Sequence, residues 1–133
     1  MTDWSDIVRQ MVGKPFRWGA RGPDAFDCWG AVLETLRLAG MPSPGDLDTA
    51  SGDRVVFEAL AAGKVLDPKW ARVDEPQPGD VVALSTNTKI NHAGVYVPGG
   101  VLHMTARRGA VVARIILLRA AGYRLVEFYR WVG

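Results

Sequence analysis

A chain of 133 residues, 48% hydrophobic and 23% charged, has the balance of one ordinary folded domain spanning residues 1–133, and not of a disordered polymer. That length buries roughly two-thirds of the surface the unfolded chain exposes, enough for a core without disulfides or a structural metal. The net charge of +2 comes from Lys and Arg that are scattered apart from the pair Arg107-Arg108, so the basic stripe of a nucleic-acid binder is absent.

No apolar run approaches the eighteen residues or so needed to span a bilayer, so membrane insertion is not expected. The opening Met1-Thr2-Asp3-Trp4-Ser5-Asp6 lacks the positive-then-apolar pattern of a secretory signal. Synthesis in the cytoplasm, and release by some route other than general secretion, is the expectation. The single cysteine excludes an internal disulfide and is too few for a thiolate zinc cage. It is either a small buried apolar residue or a reactive thiol.

In chain order, Trp4, Ile7, Val8, Met11 and Val12 share one helical face, predicting a helix over about residues 3–12 that Gly13-Lys14-Pro15 ends. A loop rich in Gly and Arg runs on to Asp27. Asp27 then caps a second helix whose stripe is Val32, Leu33, Leu36 and Ala39, ending at Gly40. After a turn-rich stretch, Ser51 caps a third helix with Val55, Val56, Ala59 and Leu60 inward and Gly63 as its stop. From there the period changes. Val81–Leu84, Ile90–Val97, Val101–Thr105, Val111–Ile115 and Leu125–Trp131 read as short strands between Pro, Gly and Asn. The stretch from Ile116 to Gly122 fits either a strand or one helical turn. Helices first and strands afterwards predict an α+β domain with a mainly antiparallel sheet.

Cys28 falls in the first turn of the second helix, where backbone N–H groups and the positive end of the helix dipole favour the thiolate. The same amides suit an oxyanion. His92 lies in Ile90-Asn91-His92-Ala93-Gly94-Val95-Tyr96-Val97, a strand that puts His92, Gly94 and Tyr96 on one face. Gly94 is expected to leave room for a nucleophile helix to approach. The other histidine, His103, lies in the next strand. A hairpin with an even-length connection centred on Pro98-Gly99 sets Gly94 opposite His103, which makes the two histidines diagonal neighbours on one face, about 7–8 Å apart at the backbone. An odd connection separates them. The Pro-Gly-Gly sequence permits both.

Gly13-Lys14-Pro15-Phe16-Arg17-Trp18-Gly19, Phe26-Asp27-Cys28-Trp29-Gly30, Gln77-Pro78-Gly79-Asp80-Val81-Val82, Asn91-His92-Ala93-Gly94-Val95-Tyr96-Val97 and Leu102-His103 together resemble the NlpC/P60 family of papain-like cysteine peptidases, over about residues 10–115. The resemblance implies a nucleophile helix packed on an antiparallel sheet, Cys28 as nucleophile, His92 as base and His103 as the third polar residue. It implies a peptidoglycan endopeptidase that cuts the peptide stem after γ-D-glutamate and needs no cofactor. The family usually carries Tyr where this chain has Phe16, and Ser where it has Trp29. Asp-Cys-Trp-Gly looks more like the phage tail-associated branch, which implies a virion tail component with tail-tip partners, acting in the periplasm or wall.

Asp27, Trp29, Phe16, Arg17 and Arg21 are the candidates for oxyanion or substrate contacts. Arg107-Arg108 and Asp80 read as turn residues, and Trp4, Trp18, Trp70 and Trp131 as core or rim packing. Cys28, His92 and His103 lack the close pairing of zinc ligands, so no metal is expected. Two other readings are an injected toxin-like amidase and, because of Phe16, a structural tail-tip protein that keeps the fold.

Overall fold

The structure, a computed structural model, describes residues 2–42, 70–86 and 92–132. The helix expected over Ser51–Gly63 lies outside the described residues. Helix α1 (Trp4–Met11) starts where the Asp3 carboxylate accepts the Asp6 N–H at 3.1 Å, and it buries Ile7 and Met11. Helix α2 (Cys28–Leu38) starts at Asp27, whose carboxylate accepts the Gly30 N–H at 2.7 Å. It stops at Gly40, whose φ of +66° allows the Gly40 and Met41 N–H groups to close back on the Arg37 and Leu36 carbonyls.

Six strands form one sheet: β1 (Trp70–Val73), β2 (Val81–Ser85), β3 (His92–Val97), β4 (Gly100–Thr105), β5 (Gly109–Ala113) and β6 (Leu125–Trp131). Their order is β1-β6-β2-β3-β4-β5 and every pairing is antiparallel. Alternation divides the side chains between two faces. On one, Ala93, Val95, Leu102, Met104 and Tyr129 meet α1 and α2 in a core that includes Trp29, Val32 and Leu36. On the other, Val82, Leu84 and Val101 pack on Leu118 of α3 (Ile115–Ala120).

The ambiguous stretch before Gly122 is therefore helical, and Ile115, expected at a strand end, opens that helix instead. Strand β5 begins earlier than expected, at Gly109, which sits on the chain just after α1. A Cβ there would stand 2.1 Å from the Lys14 carbonyl oxygen, and the Ala110 N–H reaches the same oxygen at 2.9 Å. Strand β1 was not anticipated. Among the described residues its four residues pair with β6 alone, where Trp70 faces Trp131 with ring centroids 5.1 Å apart.

Candidate active site

The loop before α2 is folded back on itself. Phe26 N–H bonds to the Pro15 carbonyl, Arg17 N–H to that of Phe26, and Asp27 N–H to that of Ala20, each at 3.1 Å. Asp27 draws this loop onto the helix start. Besides the Gly30 amide, its carboxylate accepts the Gly19 N–H at 3.2 Å and the Arg21 guanidinium at 2.7 Å. Gly30 lets the two meet closely: a Cβ there would lie 2.4 Å from the Ala20 carbonyl oxygen. Cys28, 7% exposed, is thereby held at the first position of α2.

The β3–β4 hairpin takes the even register, with Gly94 opposite His103. His92 and His103 share a face, and His92 Nε2 lies 2.9 Å from His103 Nδ1. The rings meet edge to face, 5.1 Å apart at 76°. A third ring completes the group. Tyr123, just past α3, stacks on His92 with centroids 6.1 Å apart and planes 21° from parallel. The charge of Cys28 acts on the Tyr123 phenol, which burial first and then that charge push above its ordinary pKa. Tyr123 thus stacks on one of the histidines and feels Cys28 electrostatically.

Burial first, then the neighbouring His103, holds His92 far below the usual imidazole range, at about 3. Burial lowers His103 as well, partly offset by a hydrogen bond to the Met104 backbone. Both rings are neutral at neutral pH. In such a pair one ring donates and the other accepts. When His92 donates from Nε2, its Nδ1 keeps the lone pair that a general base needs.

Several expectations need correction. Gly94 does not make room for α2, because it faces the opposite side of the sheet. What crowds it is β4, since an added Cβ would stand 2.7 Å from the Leu102 carbonyl oxygen and 3.0 Å from His103 Cβ. The close approach it permits is that of the His103 strand. Trp29 is 1% exposed and packs in the core, because the residue after Cys28 turns inward on α2. It is not placed to touch a substrate. Asp27 is fully buried and its carboxylate is occupied by three donors, so its part is to hold the loop and helix together. Arg21 is committed to Asp27 by that same ion pair.

Arg17 is exposed and Phe16 is partly buried against the core, its ring edge-on to Trp18 at 5.2 Å. Trp18 stands 78% exposed beside them, a rim residue. Asp80 is more than a turn former: it caps the Gln77 N–H and takes a bidentate contact from Arg130 at 2.9 Å. Tyr123 escaped the reading of the sequence. The one available signal was Gly122 as the stop of a short helix, which says where the chain turns and nothing of what the next ring meets.

The fold and this group of side chains define a class first: a papain-like α+β domain, with a cysteine opening a helix that packs on an antiparallel sheet bearing paired histidines. Solved structures share the fold. NlpC2 from Trichomonas vaginalis superposes with a TM-score of 0.63 at 18% identity, over 97% of this chain and 45% of that one. The NlpC/p60 domain of the peptidoglycan hydrolase SagA gives 0.57 at 16% identity, over 95% and 93%.

The chain belongs to the NlpC/P60 family, whose sequence model matches residues 13–127. A probable endopeptidase p60 of Listeria grayi is 30% identical over 93 residues, which is 70% of this chain and 16% of that protein. A probable endopeptidase of Mycobacterium bovis is 29% identical over 111 residues, 84% of this chain and 24% of that protein. The chain thus spans under a quarter of the length of these curated relatives.

Proposed function

We propose that the chain is a thiol peptidase that cuts an amide bond in the peptide stem of peptidoglycan. The observation that carries this reading is the 2.9 Å contact between His92 Nε2 and His103 Nδ1, in a chain whose one cysteine opens α2 and acts electrostatically on Tyr123, the ring stacked on His92. His103 orients the imidazole and sets its tautomer, which leaves Nδ1 to take the proton of Cys28 as the sulfur attacks the carbonyl carbon. The tetrahedral oxyanion collapses to a thioester, and His92 returns the proton to the departing amine. Water then attacks the thioester, with His92 accepting its proton, and Cys28 is released.

A neutral His92 at neutral pH is the form this cycle starts from. Peptidoglycan as substrate is supported by family membership and by the relatives named as endopeptidases. The finer reading is cleavage after γ-D-glutamate by an enzyme carried in a phage tail and acting in the periplasm or wall. The bond rests on the resemblance to the family as a whole, and the tail on the likeness of Asp27-Cys28-Trp29-Gly30 to the tail-associated branch.

The test is digestion of purified sacculi by wild type and Cys28→Ala, with products identified by mass. The expected result is stem peptides cut after γ-D-glutamate by wild type and none by the variant. Equal release by both removes Cys28 from the chemistry. If neither acts on any wall type, Phe16 in place of the family's tyrosine becomes the observation that favours a tail-tip protein without turnover.

A further inference from the structure

We propose that Tyr123 is a positioning residue for His92, its ring being the wall that holds the imidazole with Nε2 directed at His103. The proposal rests on the reading of His92 as the base. The two rings lie nearly parallel, 21° apart, while His103 meets the imidazole edge-on at 76°. One neighbour therefore sets the plane of the ring and the other sets its direction within that plane.

The wall is itself rigidly placed. Gly122, at a φ of +108°, ends α3, and its N–H reaches the Arg119 carbonyl at 3.1 Å. The Tyr123 N–H reaches back to the Leu118 carbonyl at 3.1 Å, the paired closure of a glycine-terminated helix. Leu118 is buried against β2 and β4, and the Arg124 N–H bonds to the Ser85 carbonyl at the end of β2 at 2.9 Å. A six-residue helix with one buried residue has little else to contribute to the core. Its termination delivers Tyr123 to the imidazole.

Among the described residues, the titratable groups at this imidazole are His103 from β4 and Tyr123 itself, with Cys28 acting on the phenol from α2. Strand β2 sets Leu84 opposite. The stack uses the ring and not the hydroxyl, so Tyr123→Phe should preserve it and Tyr123→Leu should not.

The experiment compares the full chain as wild type, Tyr123→Phe and Tyr123→Leu by muropeptide turnover and by NMR titration of the His92 imidazole. Tyr123→Phe should keep the wild-type kcat, and its imidazole should stay neutral at pH 5.5. Tyr123→Leu should lose about 10- to 100-fold in kcat with KM nearly unchanged, the scale expected when a reacting group is misplaced. Its imidazole should titrate closer to the ordinary value of 6.5. If Tyr123→Leu does not fold, Tyr123→Met, unbranched and ringless, takes its place. Unchanged kcat and titration in the ringless variant overturn the proposal, as does an equal loss in Tyr123→Phe, which would assign the role to the hydroxyl. Should wild type fail to turn over muropeptides, the peptidase reading falls, while the imidazole titration still decides the part of Tyr123.

Discussion

Lowering the pH from 7 to 5 should destabilise the protein through His92. The ring is held at about 3 in the folded chain against an ordinary 6.5, so between those values the unfolded chain binds a proton that the folded chain does not. Stability is then fully present above about 6.5 and declines as the pH falls toward 3. One pH unit in that window is worth ~1.4 kcal/mol, so the 1.5 units from 6.5 to 5 amount to about 2 kcal/mol. His103 is shifted in the same direction and adds to the loss. Ordinary carboxylates titrate mostly below pH 5, which leaves the histidines as the main reporters between pH 7 and 5. The assay is urea unfolding of wild type and His92→Gln at pH 7 and pH 5. With a slope of about 2 kcal/mol per molar urea, the His92 share is a fall of ~1 M in the midpoint. His92→Gln should lose that share and keep the His103 part. If both proteins lose the same stability between pH 7 and 5, the imidazole is not held neutral by its site and the reasoning fails.

Two further predictions concern how Cys28 is held. Gly30→Ala would drive a methyl group to 2.4 Å from the Ala20 carbonyl oxygen, backbone that cannot swing away. The expected cost is ~1–3 kcal/mol, read as a lower thermal midpoint together with reduced turnover. Asp27→Ala removes the helix cap and the ion pair with part-buried Arg21, so it should cost ~1–3 kcal/mol in chemical unfolding. Asp27→Asn keeps the cap and should cost clearly less; equal losses would place the value in the ion pair alone.

What could be read from the residues was local or governed by alternation. Asp27 as cap, Gly40 as stop and the period of α2 all act within a few positions of themselves, and the structure shows them there. Alternation along β3 and β4 put His92 and His103 on one face once the register was even, a choice the turn residues left open and the structure resolves. What was not legible is long-range. Trp70–Val73 has no period of its own and becomes a strand only because β6 lies beside it. Asp80 meets Arg130 fifty positions away across the pairing of β2 with β6. Tyr123 reaches His92 because β6 returns to β2, which brings Arg124 to Ser85. Trp29, adjacent to Cys28 in the chain, turns into the core, so closeness in sequence was a poor guide to closeness at the site.

The central claim is that Cys28 is the nucleophile. Because it is the only cysteine in the chain, alkylation can be counted on the intact protein. Graded treatment with iodoacetamide, with the modified fraction taken from intact mass and turnover measured on the same samples, puts the claim to its most direct test. The account predicts that muropeptide cleavage falls in proportion to the alkylated fraction and reaches zero when every molecule carries one adduct. Fully alkylated protein that still cuts at the wild-type rate would contradict it.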